Sequence, residues 1–197
     1  LTRRVVRAAS ISLGVVITAV VVARLAGQVS LRAGMPDAVS LLSLVSLTAA
    51  AIRDELLFRA IPFHFATRAG IARRFVLPFT ACLSLTPTLA SGPSIESVAL
   101  GFASGLLFAS IYAHAHGAWA AIGAHATWSI AVGPMLKGLP LEAVWRQGEL
   151  SEAASASGAP VWIAALIAVA AALVVVPRVF GHAPPPEGPS PSSRRGR

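Results

Sequence analysis

The chain lacks several things at once. It has no asparagine, one lysine (Lys137), one tyrosine and one cysteine among 197 residues. The lone Cys82 excludes an internal disulfide framework, and it lies in an apolar run that says little about redox compartment. Charge is scarce too, at 12% of residues, and acids number only 8 against 16 bases. That poverty excludes an ordinary soluble surface. A net charge of +8 would suit nucleic acid, but its placement argues against that. The arginines cluster between apolar stretches, as topology signals in membrane proteins do. What is abundant is hydrocarbon, with 55% hydrophobic residues and a mean hydropathy of +0.73. High Ala and Arg with so little Lys suggests a GC-rich bacterial genome.

A membrane span needs about 20 mainly apolar residues. The sequence predicts an all-α, polytopic bundle of about six transmembrane helices. Span one runs from about Ala8 to Ala26. Its flank of Arg3, Arg4 and Arg7 resembles a signal peptide, but without a convincing cleavage site it reads as a retained first helix. Span two starts near Ala38 and continues as one long helix toward Ala66. Span three covers about Phe75 to Ala90 and ends at the Ser91-Gly92-Pro93 turn. Residues Ser97 to Leu136 carry no formal charge with neutral His and suffice for two crossings. The break is expected at His114-Ala115-His116-Gly117, giving spans of about Ser97 to Ala113 and Ala118 to Met135. A polar loop follows, with Lys137, Glu142, Arg146, Glu149 and Glu152. Span six covers about Pro160 to Val176. The tail beyond Phe180 is rich in Pro, Ser and Arg and should be disordered. With this topology Arg3, Arg4, Arg7, Arg68, Arg73, Arg74, Arg178, Arg194, Arg195 and Arg197 share one side. Arg24, Arg32, Lys137 and Arg146 fall on the other, so both termini are expected in the cytoplasm. The expected location is a bacterial inner or plasma membrane, crossed several times.

One string stands out: Arg53-Asp54-Glu55-Leu56-Leu57-Phe58-Arg59. Four ionised groups directly follow fifteen uncharged residues, Ala38 to Ile52. A charge within the hydrocarbon costs roughly 2.5–3.5 kcal/mol on insertion scales, so such groups are by default functional. Glu55 and Arg59 are four apart and share a helix face. A carboxylate held away from bulk water can act as general base on water, and Arg59 would balance its charge and fix its rotamer. The plainer alternative is a charge pair that only locks helices together. His125 lies inside span five and can donate to an oxyanion, ligate a metal or shuttle a proton. Ser129, four residues on, shares its face. The alternative for His125 is a ring satisfied by a neighbouring helix. His114 and His116 sit at a turn, where a solvated loop is the simpler reading than a metal site. His64, after Pro62, is expected at the interface. Gly101-Phe102-Ala103-Ser104-Gly105 is a small-xxx-small pattern that allows close helix packing. Trp119, Trp145 and Trp162 fall near span ends, as in an aromatic belt.

These residues resemble a family. Asp54-Glu55-Leu56-Leu57-Phe58-Arg59 is similar to the Glu-Glu-xxx-Arg motif of the CPBP intramembrane proteases. That family includes type II CAAX prenyl endopeptidases and bacteriocin-processing and self-immunity proteins. Gly105 to Ile130 resembles its later region: a glycine-containing helix, a short turn, a Trp and a His-xxx-Asn motif. The resemblance covers roughly Ser40 to Val132. It implies Glu55 as base, Asp54 and Arg59 as its support, and His125 as oxyanion donor. It also implies a membrane-bound, prenylated or leader peptide as substrate, beside the lipid bilayer itself. The layout it suggests is a first helix and outer loop at 1–37 and a catalytic core at 38–135. A polar outer loop at 136–159, a last helix at 160–180 and a cytoplasmic tail at 181–197 complete it.

The chain departs from the family pattern in three places. Asp54 replaces the first Glu. The middle Phe-xxx-His motif aligns with Leu83-Ser84-Leu85-Thr86-Pro87, and Ser129 replaces the final Asn. Thr86 and Ser129 are hydroxyls that can replace some of this donation, although a hydroxyl cannot act as an imidazolium. Loss of one oxyanion donor typically costs ~100–1000-fold in rate. An inactive relative acting as a membrane binding or immunity protein is therefore one alternative. A small ion- or proton-coupled carrier using Glu55 and Arg59 is another. The family's naming as metalloproteases implies zinc as a candidate cofactor, with Glu55 and His125 as ligands. An open zinc site needs about three protein ligands, so a carboxylate-activated water is the better fit.

Overall fold

The computed structural model describes residues 1–35, 38–90, 94–137, 139, 141–145 and 159–181. The Ser91-Gly92-Pro93 turn, the loop charges Arg146, Glu149 and Glu152, and the tail beyond Gly181 lie outside the described residues.

Helix α1 spans Thr2–Leu25 and leads through Gly27 into strand β1, Val29–Ala33. Helix α2, Ala38–Glu55, continues through a π turn at Leu56–Ala60 into α3, Ile61–Arg68. The expected long second helix is thus present, with one widened turn inside it. Gly70, at φ 69°, ends it by letting the Ile71 amide reach back to the Ala66 carbonyl at 2.9 Å. Helices α4, Arg73–Leu83, and α5, Thr86–Ala90, follow, divided at Ser84-Leu85. Helix α6 covers Ile95–Ala115 and starts at Ser94, whose hydroxyl accepts from the Ser97 amide at 3.3 Å. It ends where His116 turns left-handed at φ 53°, which places the break at the expected turn. Helix α7 is Ala118–Val132. Strand β2 is Leu141–Trp145. Helix α8, Ala159–Ala170, runs through a second π turn, Ala171–Val175, into α9, Val176–Phe180.

Three helical stretches are long and apolar enough to cross a membrane: Thr2–Leu25, Ile95–Ala115 and Val161–Phe180. The six expected crossings meet that standard only in part. Helix α4 has 11 residues, about 16 Å, and α7 has 15, about 22 Å, against a hydrocarbon core of about 30 Å. Helix α2 is excluded by its own charges. Exposed apolar side chains such as Val39, Leu42, Val45, Phe65 and Leu166 give the outer surface lipid chemistry.

Both π turns share one cause. Each is followed, one residue later, by a proline: Ile61-Pro62 and Val176-Pro177. A proline lacks the amide hydrogen, and its ring clashes with the carbonyl four residues back. Widening the preceding turn relieves that clash, and the Ile61 and Val176 amides reach back five residues to Leu56 and Ala171. The Ala172 carbonyl would then have to pair with the amide that Pro177 lacks. Ser110 of α6 donates to it instead at 2.7 Å, fully buried.

An all-α architecture needs one amendment. Strands β1 and β2 pair antiparallel, with Val29 opposite Trp145, Leu31 opposite Ala143 and Ala33 opposite Leu141. Arg32 and Glu142 face each other across this ribbon in a two-pronged ion pair, both contacts 2.9 Å. Each strand has only five residues, and their partners lie more than a hundred positions away. Strand β1, Val29-Ser30-Leu31-Arg32-Ala33, does alternate apolar and polar, but five residues are a short signal and β2 does not alternate throughout, so the pairing was not legible locally.

The core is built by α1, α6, α7 and α8–α9. Ala8, Val15, Leu107, Phe108, Ile111, Ala121, Ala124, Ala168, Ala172 and Val176 make one buried cluster. Alanine dominates because small side chains let helix backbones approach closely. The Arg4 guanidinium donates to the Ala115 carbonyl at 3.0 Å, so α1 begins beside the end of α6.

Candidate functional site

Glu55 closes α2, and Arg59 sits in the π turn beneath it. Both are fully buried, at 0% and 1% exposure. Arg59 Nη1 donates to Glu55 Oε1 at 2.7 Å. His125 arrives from α7, and its Nδ1 lies 2.9 Å from that same oxygen. Three residues separated by up to seventy positions therefore meet on one carboxylate oxygen. Glu55 Oε2 and Arg59 Nε are enclosed and have no hydrogen-bond partner among the described residues.

Phe108 of α6 holds this group in place. Its ring stacks on the His125 imidazole, with centroids 4.6 Å apart and planes 17° apart. The Arg59 guanidinium carbon lies 5.4 Å from the same ring. Trp128 meets Phe108 edge-on, with ring centroids 6.0 Å apart.

A cavity of about 210 Å³ adjoins the cluster. Its wall includes Asp54, Arg59, Ser84, Thr88, Ser104 and His125. Pro87, Phe58, Phe108, Gly101 and Gly105 complete the lining. Glu55 lies behind this wall, out of contact with the cavity. Gly105 makes the α4 crossing feasible: a methyl there would collide with Ser84 Oγ and stand 3.1 Å from the Ala81 carbonyl oxygen.

The structure brings together some of the sequence candidates and separates others. Glu55, Arg59 and His125 converge. Asp54 lines the cavity, but its carboxylate is engaged by Arg53 at 2.8 Å, not by Glu55 or His125. Ser129 does not line the cavity. A helical side chain leans toward its helix N-terminus, so the His125 ring points away from the next turn that carries Ser129. Thr86 does not line it either; its hydroxyl is exposed and donates to the Leu83 carbonyl at 2.9 Å. The helix break at Ser84-Leu85 resets the register, and Ser84 and Thr88 face the cavity in its place. Ser104 and Phe108 were also missed. A serine and a phenylalanine in an apolar helix carry no special signal, although Ser104 lies inside the singled-out Gly101–Gly105 stretch.

His114 binds its own helix, Nδ1 to the Ser110 carbonyl at 2.8 Å, and His116 is exposed at the turn. Neither approaches the Glu55 cluster.

The donor set fits zinc poorly. Glu55 and His125 would be the ligands, but a guanidinium already holds the shared oxygen and would repel a second cation. Asp54 is turned to Arg53. Among the described residues no three His, Cys, Asp or Glu side chains gather as a metal site.

No curated protein and no solved structure gives a match to this chain. A family model does match: type II CAAX prenyl endopeptidase, Rce1-like, over residues 36–131. The matched stretch contains Glu55, Arg59, Phe108 and His125, and it starts and ends close to the resemblance drawn from the motifs. Through residues 36–131, just under half of its length, the chain is similar to the Rce1-like type II CAAX prenyl endopeptidases, which supports the resemblance to the CPBP group.

Proposed function

We propose that this chain is an intramembrane endopeptidase. It hydrolyses peptide bonds of membrane-bound, prenylated or leader peptides with a water activated at the Glu55–His125–Arg59 cluster. One observation carries the reading: a buried carboxylate holds an imidazole at 2.9 Å and a guanidinium at 2.7 Å beside a cavity that the imidazole and guanidinium line. An imidazole backed by a carboxylate can move a proton, and a nearby cation favours negative charge developing on a carbonyl oxygen. The protein sits in a bacterial cell membrane as a multi-pass protein. Both termini lie in the cytoplasm on this reading, which puts Arg3, Arg4, Arg7, Arg68, Arg73 and Arg74 on the inner side.

A second reading has its own observation. Pro87 occupies the cavity wall where the family pattern has histidine, so one donor is missing. On that reading the chain binds a membrane peptide without cutting it, as an immunity-type relative would. Terminal-peptide proteomics decides between them. Membranes from cells expressing wild type and Glu55→Gln at matched levels are compared. New termini found only with wild type establish cleavage and name the substrates. Identical profiles from correctly inserted proteins refute the peptidase reading.

A further inference from the structure

The resemblance implies that Glu55 takes the proton and that His125 donates to the carbonyl oxygen. The geometry points to a different division of labour. We propose that His125 Nε2 is the proton acceptor of the cavity and that Glu55 is the residue that positions it. The chemical step rests on the peptidase reading above; the state of the ring does not.

The argument begins at Glu55 Oε1. Arg59 Nη1 approaches it at 2.7 Å, and a guanidinium can only donate. Oε1 is therefore an acceptor. As a carboxylate Glu55 has no hydrogen to give, so His125 Nδ1, at 2.9 Å from the same oxygen, supplies the hydrogen in its own contact. A neutral imidazole with its hydrogen on Nδ1 carries a lone pair on Nε2. That nitrogen accepts and does not donate. Among the described residues the ring's one hydrogen bond is through Nδ1, so Nε2 is left to serve the cavity that His125 lines. The Phe108 stack, at 4.6 Å and 17°, opposes a ring flip that would exchange the two nitrogens.

Glu55 is badly placed for the role it would otherwise have. It does not line the cavity, Oε1 holds two donors, and Oε2 is enclosed. Its position suits a carboxylate that selects a tautomer and steadies the imidazolium once formed.

The step balances without any co-reactant. Water oxygen bonds to the carbonyl carbon as one water O–H bond breaks, and that proton goes to Nε2. The carbonyl π pair moves to oxygen, next to Arg59. Collapse restores the carbonyl and breaks the C–N bond, and Nε2 returns its proton to the leaving nitrogen. The products are a carboxylic acid and an amine.

The test is nitrogen NMR on the full chain in lipid nanodiscs, with ring-labelled histidine and the other four histidines replaced by Gln. The expected signature is hydrogen on Nδ1 and a bare Nε2 in the neutral ring. Glu55→Gln, whose amide can accept or donate, is expected to give a mixture of tautomers. In a cleavage assay His125→Gln is expected to lower the rate by ~100–10,000-fold, the range for losing a general base. Hydrogen on Nε2 in the neutral ring overturns the proposal, as does a His125→Gln variant that cleaves within tenfold of its parent. A wild type that cleaves nothing but shows the Nδ1–H ring sinks the peptidase reading and still supports Nε2 as the cavity's acceptor.

Discussion

Replacing Arg59 with Met removes one guanidinium and leaves the Glu55 carboxylate fully enclosed with only His125 for company. Both partners of the pair are essentially without solvent contact, at 0% and 1%. Breaking a buried pair by removing one side leaves an uncompensated charge and typically costs about 3–5 kcal/mol. Total stabilities are roughly 5–15 kcal/mol, so this is a large share. At 1.4 kcal/mol per tenfold, it is a hundredfold or more in the folded population. Glu55→Leu should cost a similar amount, because it strands Arg59. The double variant, Glu55→Leu with Arg59→Met, removes both charges and should recover most of the loss, since apolar replacement of a buried pair is often neutral. Reversible unfolding in bicelles, run on all four proteins, gives the cycle directly. Single losses below about 1 kcal/mol that simply add in the double variant would refute the burial argument. The exposed Arg32–Glu142 pair is the internal control, because its side chains are 65% and 40% exposed and should contribute little.

Three further outcomes follow from the packing and the ribbon. Gly105→Ala should cost about 1–3 kcal/mol, because Ser84 can rotate away but the Ala81 backbone at 3.1 Å cannot; thermal unfolding reads it, and an unchanged midpoint would mean that α4 and α6 are not in contact there. Ser110→Ala should cost about 1 kcal/mol by leaving the Ala172 carbonyl unpaired, and Ser110→Thr should retain most of that; equal losses in the two variants would refute the hydroxyl's role. Arg32 holds the Glu142 carboxyl below its usual value of 4.5, chiefly through their hydrogen bond. A depressed carboxylate contributes stability above its unfolded value and loses it as pH falls through the lower, folded one. An NMR titration of the Glu142 carboxyl should give a midpoint below 4.5 in wild type that moves back toward 4.5 in Arg32→Gln; the same midpoint in both proteins would refute this.

The sequence by itself determined the helical plan and the identity of the charged centre. Long apolar runs make helices in a membrane because every backbone polar group must be paired within its own segment. That constraint made the boundaries near Ala38, Ala115 and Ala118 legible. The cost of burying Glu55 and Arg59 made them conspicuous among their apolar neighbours in the chain. The prolines at 62 and 177 were equally visible, but only the structure showed the π turns that accommodate them. What the tertiary structure decided was everything that depends on which helix lies opposite which. The ribbon of β1 and β2 exists because distant segments meet. Thr88 replaces Thr86 at the cavity because a helix break between α4 and α5 shifts the register. Ser129 falls away from the site because the His125 ring leans toward its helix N-terminus. Phe108 joins the site because α6 packs beside both Arg59 and His125. Local spacing carries information over one or two helical turns, whereas a binding site is a property of facing surfaces. The state of the His125 ring is the sharpest instance: a histidine in the sequence has two equivalent nitrogens, and only the carboxylate opposite Nδ1 makes them different.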